Sequence, residues 1–257
     1  MAIDRTAKLY VVYDLRITPN GMNDGTRALR PLWRKRTFWN RGDAIATRFG
    51  FLLNEARFQL PGFHSVYFVP TAGRLRMLPM MDPEFCWWFR EVEVPIDLAA
   101  WKRAAAQSSG IDADRLFIDM IERGLLAFAK KHKTAGTVVR EVAQTLRDKG
   151  EDALVPIQNV TNRHGSARVD LRVAVAQSRC ELIVTVKSAA EPGVTRRARV
   201  RLRQAGHVAV LCRGIKISEE EVELTRTGSL RTRVFSEGYP RRLRFRIRKM
   251  PVVQDGE

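Results

Sequence analysis

The four histidines, His64, His132, His164 and His207, are the side chains of this chain best suited to moving protons near neutrality. None stands in an HxH, HExxH or other metal-ligand spacing. Cys86, Cys180 and Cys212 are widely separated with no CxxC pair, so neither a zinc site nor a disulfide framework is expected, and reduced thiols in a cytoplasm fit the pattern. Metal-independent RNA cleavage would need a histidine base beside cationic groups that stabilise the transition state. His64 and His164, the latter in Asn162-Arg163-His164-Gly165, are the candidates for that role, and both also read as turn or strand-end residues. No GxSxG, P-loop, GxGxxG, Cys/His pairing or paired acidic motif stands out, so the expectation is a protein that is not an enzyme and has no cofactor.

The stronger chemical signal is cationic. The chain has 45 Lys and Arg against 28 Asp and Glu, a formal net charge of +17. Residues 1–60 carry an excess of +6, residues 61–160 none, and residues 161–257 an excess of +11. A general drift toward arginine would raise all three segments together, so the basicity belongs to the two ends. Its expected partner is an acidic macromolecule: an acidic protein such as a toxin, or RNA or DNA.

Two patterns concentrate that charge. In the first, Arg27, Arg30, Arg34, Lys35, Arg36 and Arg41 interleave with Trp33, Phe38 and Trp39. Cations for phosphates and rings for bases are what single-stranded nucleic-acid binding uses. The same rings could instead point into the core and leave the cations in water. In the second, Arg199, Arg201 and Arg203 alternate with Val200 and Leu202, and Arg242, Arg244, Arg246 and Arg248 alternate with Leu243, Phe245 and Ile247, with Arg231 and Arg233 as a shorter row. On a strand this period gives one apolar and one all-arginine face. Such rows side by side would repel, unless an acidic partner or the nearby Glu219–Glu223 run neutralises them.

The elements that carry these residues read as an α+β fold, with an N-terminal mixed α/β layer of about three helices followed by an antiparallel β-rich half. At 257 residues and 45% apolar the chain can bury a sizeable core. Lys8–Thr18, Phe63–Pro70 and Phe85–Ile96 read as strands. Asp43 reads as the N-cap of a helix running to Phe58, with Pro61-Gly62 as its stop. Asp112 caps a second helix ending at Gly136, and Thr137 caps a third ending at Gly150. Beyond Pro156, short β-rich runs at 168–176, 180–187, 196–203, 207–212, 221–226, 230–235 and 241–248 are separated by turn signals such as His164-Gly165, Pro192-Gly193 and Glu237-Gly238. The expected division is 1–155, 156–250 and a tail at 251–257. The Leu9–Tyr13 run is too short for a signal-peptide core, and no stretch approaches the ~20 apolar residues of a membrane span. No membrane association is expected.

The strand Val92-Glu-Val-Pro-Ile-Asp97, the helix from Leu116 through Leu126 to Lys133, and Val139–Val142 running to Asp148-Lys-Gly150 form a familiar succession. It resembles immunity proteins encoded beside bacterial polymorphic toxins, in which a strand precedes a similar helix pair and more strands follow. The resemblance covers under half the chain and rests on pattern rather than signature residues, so no binding residue is carried over. It implies a catalytically inert protein that occludes a toxin's active site, and the basic ends then require that toxin to present an acidic face.

Overall fold

The structure, a computed structural model, describes residues 9–11, 14–17, 32, 35–61, 65–78, 89–107, 110–132, 135–175, 179–203, 207–212, 214–226 and 238–253. The fold is α+β, with the helices mostly in the N-terminal half and a β-rich C-terminal half. The chain divides into two compact units, Met1–Ala153 and Leu154–Glu257.

In the first unit, β2 (Asp14–Ile17), β4 (Ser65–Thr71) and β6 (Phe89–Pro95) are parallel neighbours, and β5 (Arg76–Met77) adds antiparallel to β6. A separate antiparallel pair joins β1 (Leu9–Val11) to β3 (Gln59–Pro61). Parallel strands need crossover connections, and β4 is buried along nearly its whole length, as expected for a strand covered on both faces. The helices delimited among the described residues of this unit are, in chain order, α1 (Arg36–Glu55), α2 (Leu98–Ala106), α3 (Ile111–His132) and α4 (Gly136–Lys149). α3 packs against α1, α4, β4 and β6, and the core runs through Phe49, Phe68, Val92, Val94, Phe117, Met120, Leu125 and Leu146.

Several boundaries differ from those read in the sequence. α1 begins at Arg36, so Asp43 lies inside it rather than capping it. The apolar face of α1 starts earlier, at Phe38 and Gly42, and burial of Phe38 extends the helix past the apparent cap. α2 is a fourth helix, short and alanine-rich; the Asp97 carboxylate caps it by accepting from the Ala99 and Ala100 amides at 2.9 and 3.1 Å. Asp112 lies in the first turn of α3, where it faces the positive end of the helix dipole. Gly136 opens α4 instead of closing α3, and Thr137 is inside α4. Gly150 ends α4 as expected.

Among the described residues, the second unit has two antiparallel sheets. The larger has the order β14-β10-β9-β8-β7, with β7 Val155–Thr161, β8 Ala167–Val175, β9 Cys180–Ser188, β10 Thr195–Leu202 and β14 Val252–Val253. The smaller has β11 (Gly214–Ile217), β12 (Glu221–Thr225) and β13 (Arg242–Arg246). Gly165 and Gly193 take φ of 68° and 80° in the β7–β8 and β9–β10 turns, a left-handed backbone suited to glycine. The expected strand at 207–212 is instead a helical turn, α5 (Val208–Leu211), which buries Val208 and Leu211. The run at 230–235 lies outside the described residues. The strand expected at 241–248 stops at Arg246, because Ile247–Lys249 form a 3-10 turn that buries Ile247. Part of the segment set aside as a tail, Val252–Val253, pairs with β10 at Thr195 and Arg196.

Candidate functional site

The larger sheet of the second unit separates its faces by period two. Val169, Leu171 and Val173 of β8, Leu182, Val184 and Val186 of β9, and Leu202 of β10 are buried on one face. The register brings the alternate residues together on the other. Arg168 lies opposite Lys187, which lies opposite Thr195; Asp170, Thr185 and Arg197 form the next row, Arg172, Ile183 and Arg199 the third, and Ala174, Glu181 and Arg201 the fourth. Rows are about 6.7 Å apart along the strands and neighbouring positions about 4.8 Å apart across them.

This face therefore carries Arg168, Arg172, Lys187, Arg197, Arg199 and Arg201 against two acids, Asp170 and Glu181. Asp170 pairs with Arg172 at 2.7 Å. Glu181 is shared between Arg179 at 2.6 Å and Arg199 at 3.5 Å. Arg168 donates to the Asn159 side-chain oxygen on β7 at 2.9 Å. Arg201 is exposed and makes no ion pair among the described residues, its cross-strand neighbour Glu181 being occupied by the other two arginines. Ile183 is only 3% exposed although it lies on this face. It is flanked by Arg172 and Arg199, whose aliphatic stems can cover it while their guanidinium groups stay in water.

The arginine row on β13 has a different electrostatic setting. Arg242, Arg244 and Arg246 lie opposite Thr225, Glu223 and Glu221 of β12. Arg244 pairs with Glu223 at 2.8 Å and Glu221 at 3.8 Å, and Arg242 reaches Glu223 at 3.7 Å. Two glutamates thus offset most of three arginines. Arg248 sits on the 3-10 turn rather than on the strand, and Arg231 and Arg233 lie outside the described residues.

Arg203 follows β10 in a bend, where its amide donates to the Tyr239 hydroxyl at 2.6 Å. That hydroxyl is 3.1 Å from Nδ1 of His207, and the two rings meet edge to face. Burial, with a smaller contribution from Arg203, holds the His207 imidazole below its ordinary pKa. This knot closes the end of β10 over a nearly buried histidine. His164 is exposed at the tip of the β7–β8 hairpin, and His64 lies outside the described residues. Burial pushes the Cys180 and Cys212 thiols up to about 12, which leaves them protonated and unreactive. Among the described residues, no three His, Cys, Asp or Glu are grouped to hold a metal ion. No described helix is long and apolar enough to cross a membrane.

In the N-terminal aromatic-basic segment, Arg27, Arg30, Trp33 and Arg34 lie outside the described residues. Lys35 and Arg36 are exposed at the start of α1. Arg41 pairs with Asp114 of α3 at 3.0 Å. Trp39 is half-buried, donates its indole N–H to the Leu32 carbonyl at 2.9 Å, and packs with Phe38, Trp101 and Phe117 in one aromatic cluster. Trp39 and Phe38 thus take the inward placement that the sequence left open. A nearby cleft of about 450 Å³ is lined by Asp97, Trp101, Leu116, Asp119, Glu122, Arg123 and Arg147, and within it Arg147 is held by Asp119 at 2.7 Å and by Glu122.

Sequence reasoning found Arg199 and Arg201 but missed Arg168, Arg172, Lys187 and Arg197. Arg168 and Arg172 do share a period-two pattern with Asp170, but only the strand register aligns them with β10. The chain matches none of the protein-family models, curated proteins or solved structures with which it was compared.

Proposed function

We propose that this protein is a non-enzymatic binding protein that docks onto the phosphodiester backbone of a nucleic acid, as a subunit of a nucleoprotein complex. The observation that carries this reading is the clustering of Arg168, Arg172, Lys187, Arg197, Arg199 and Arg201 on one face of β8–β10, with Arg201 exposed and without an ion pair among the described residues, whereas the β13 row is largely neutralised within its own sheet. Like charges this close oppose folding, and a polyanionic partner relieves that repulsion. The polar side chains among and beside the cations, Thr185 on β9 and Thr161 and Asn159 on the adjoining β7, belong with Arg and Lys to the set that contacts phosphate and sugar oxygens. A protein partner is favoured by the opposite composition: an interface centre poor in charge and rich in aromatic anchors.

The test is binding of a labelled oligonucleotide over salt from about 50 to 200 mM. Affinity is expected to fall steeply with salt. Arg199→Gln with Arg201→Gln is expected to weaken binding and reduce the log–log salt slope by about 2, roughly one unit per lost phosphate contact. Absence of binding at the lowest salt overturns the proposal. Capture of an acidic toxin, with protection on co-expression, would put the immunity role implied by residues 92–150 in its place.

A further inference from the structure

We infer that the form of nucleic acid taken by the β8–β10 face is a duplex, held by its backbone with no readout of the bases. This rests on the reading above and goes beyond it, because the same cations would attract any polynucleotide. What separates the forms is what lies between the cations. The uncharged positions of this face are Thr185 and Ile183 on β9, Thr195 and Ala174 at its ends, and Thr161, Asn159 and Pro156 on the adjoining β7 edge, and Ile183 and Thr195 are buried. None of them has an aromatic ring on which a base could stack. An unpaired strand gains affinity by stacking its bases on aromatic side chains, and on this face its bases would remain in water. In a duplex the bases are already stacked on one another, so contacts to phosphate suffice.

The charge geometry points the same way. Arg197, Arg199 and Arg201 form one row along β10, and Arg168 and Arg172 a second along β8, two strands or about 10 Å away. These cations stand on a hydrogen-bonded sheet, and Arg168, Arg172 and Arg199 are further held by Asn159, Asp170 and Glu181. A fixed array of cations suits a partner whose phosphates are also fixed, because a flexible strand must first be ordered to match it. A duplex also has about twice the linear charge density of one strand, so each neutralised phosphate releases more counterions.

The test compares one labelled strand alone, annealed to its complement as DNA, and as the corresponding RNA duplex, at a single salt concentration, with sodium polyglutamate as a competitor. At least one duplex is expected to bind more tightly than the single strand, by about five-fold or more. A second duplex of unrelated sequence is expected to bind equally well. Arg199→Gln with Arg201→Gln should weaken both duplex sequences by the same factor. Arg168→Gln with Lys187→Gln provides an independent pair if the first alters the circular dichroism of the protein. A single strand that binds as tightly as the tighter of the DNA and RNA duplexes, or a strong preference between the two duplex sequences, overturns this inference and leaves the proposed function standing. Displacement by polyglutamate with no affinity for any polynucleotide overturns both.

Discussion

Arg48 is 2% exposed on α1 and donates a guanidinium N–H to the Gly150 carbonyl at the C-terminal end of α4, a carbonyl that also accepts from the Ala153 amide at 3.4 Å. A charged donor at that position also complements the negative end of the helix dipole. Arg48→Ala should remove that bond and open a cavity, at a cost of about 3 kcal/mol, read as a lower urea midpoint at unchanged m. Gly124 poses the opposite problem. A Cβ there would stand 2.7 Å from the Phe68 ring, so Gly124→Ala should cost about 1–3 kcal/mol by overpacking, measured in the same titration. Neither role is legible in the sequence. Arg48 looks like any helical cation and Gly124 like a weak point in a helix, because the carbonyl and the ring that define them come from distant parts of the chain. The inward placement of Trp39 is of the same kind: spacing on α1 allows either face, and the Trp101 and Phe117 rings decide it.

At the scale of elements, what repeats along the chain was readable and what depends on pairing was not. The long helices α3 and α4 and the strands β8, β9, β10, β12 and β13 follow from apolar periods of 3.6 and 2. The start of α1 was obscured because Asp43 mimics a cap inside a longer apolar face, and α2 because nine residues give too few turns to show a period. The two arginine rows look alike in sequence, yet β12 places Glu221 and Glu223 beside one, and β9 places Thr185 and a single shared glutamate beside the other. That difference is testable. Glu221→Gln with Glu223→Gln should release the β13 arginines and raise both the affinity for polyanions and its salt slope. Arg242→Gln with Arg244→Gln in the wild-type background should lower affinity less than Arg199→Gln with Arg201→Gln. Equal losses from the two arginine pairs in a salt titration would show that the glutamates do not mask β13.

For the whole molecule the governing quantities are its +17 charge and its partly or fully buried histidines, His132 and His207. Surface ion pairs such as Arg172–Asp170 contribute little individually, whereas repulsion among so many excess cations is cumulative and is screened by salt. The melting temperature should therefore rise from low to moderate salt, and heparin should raise it further at equal ionic strength by binding the folded form. A fall with salt would mean that the ion pairs outweigh the repulsion. The pH response adds to this. Burial, aided by Lys131 and Arg90, holds His132 below its ordinary pKa of 6.5, as burial and Arg203 do for His207. The unfolded chain then takes up protons at these sites before the folded one does, so stability is full above pH 6.5 and declines as pH falls below it. Each histidine belongs to a different unit, so both units should lose stability on acidification, and His207→Gln should flatten the response of the second alone. Melting followed from about pH 7.5 to pH 5.5 in the wild type and in His207→Gln tests this, and an unchanged profile in the variant would show that His207 does not contribute.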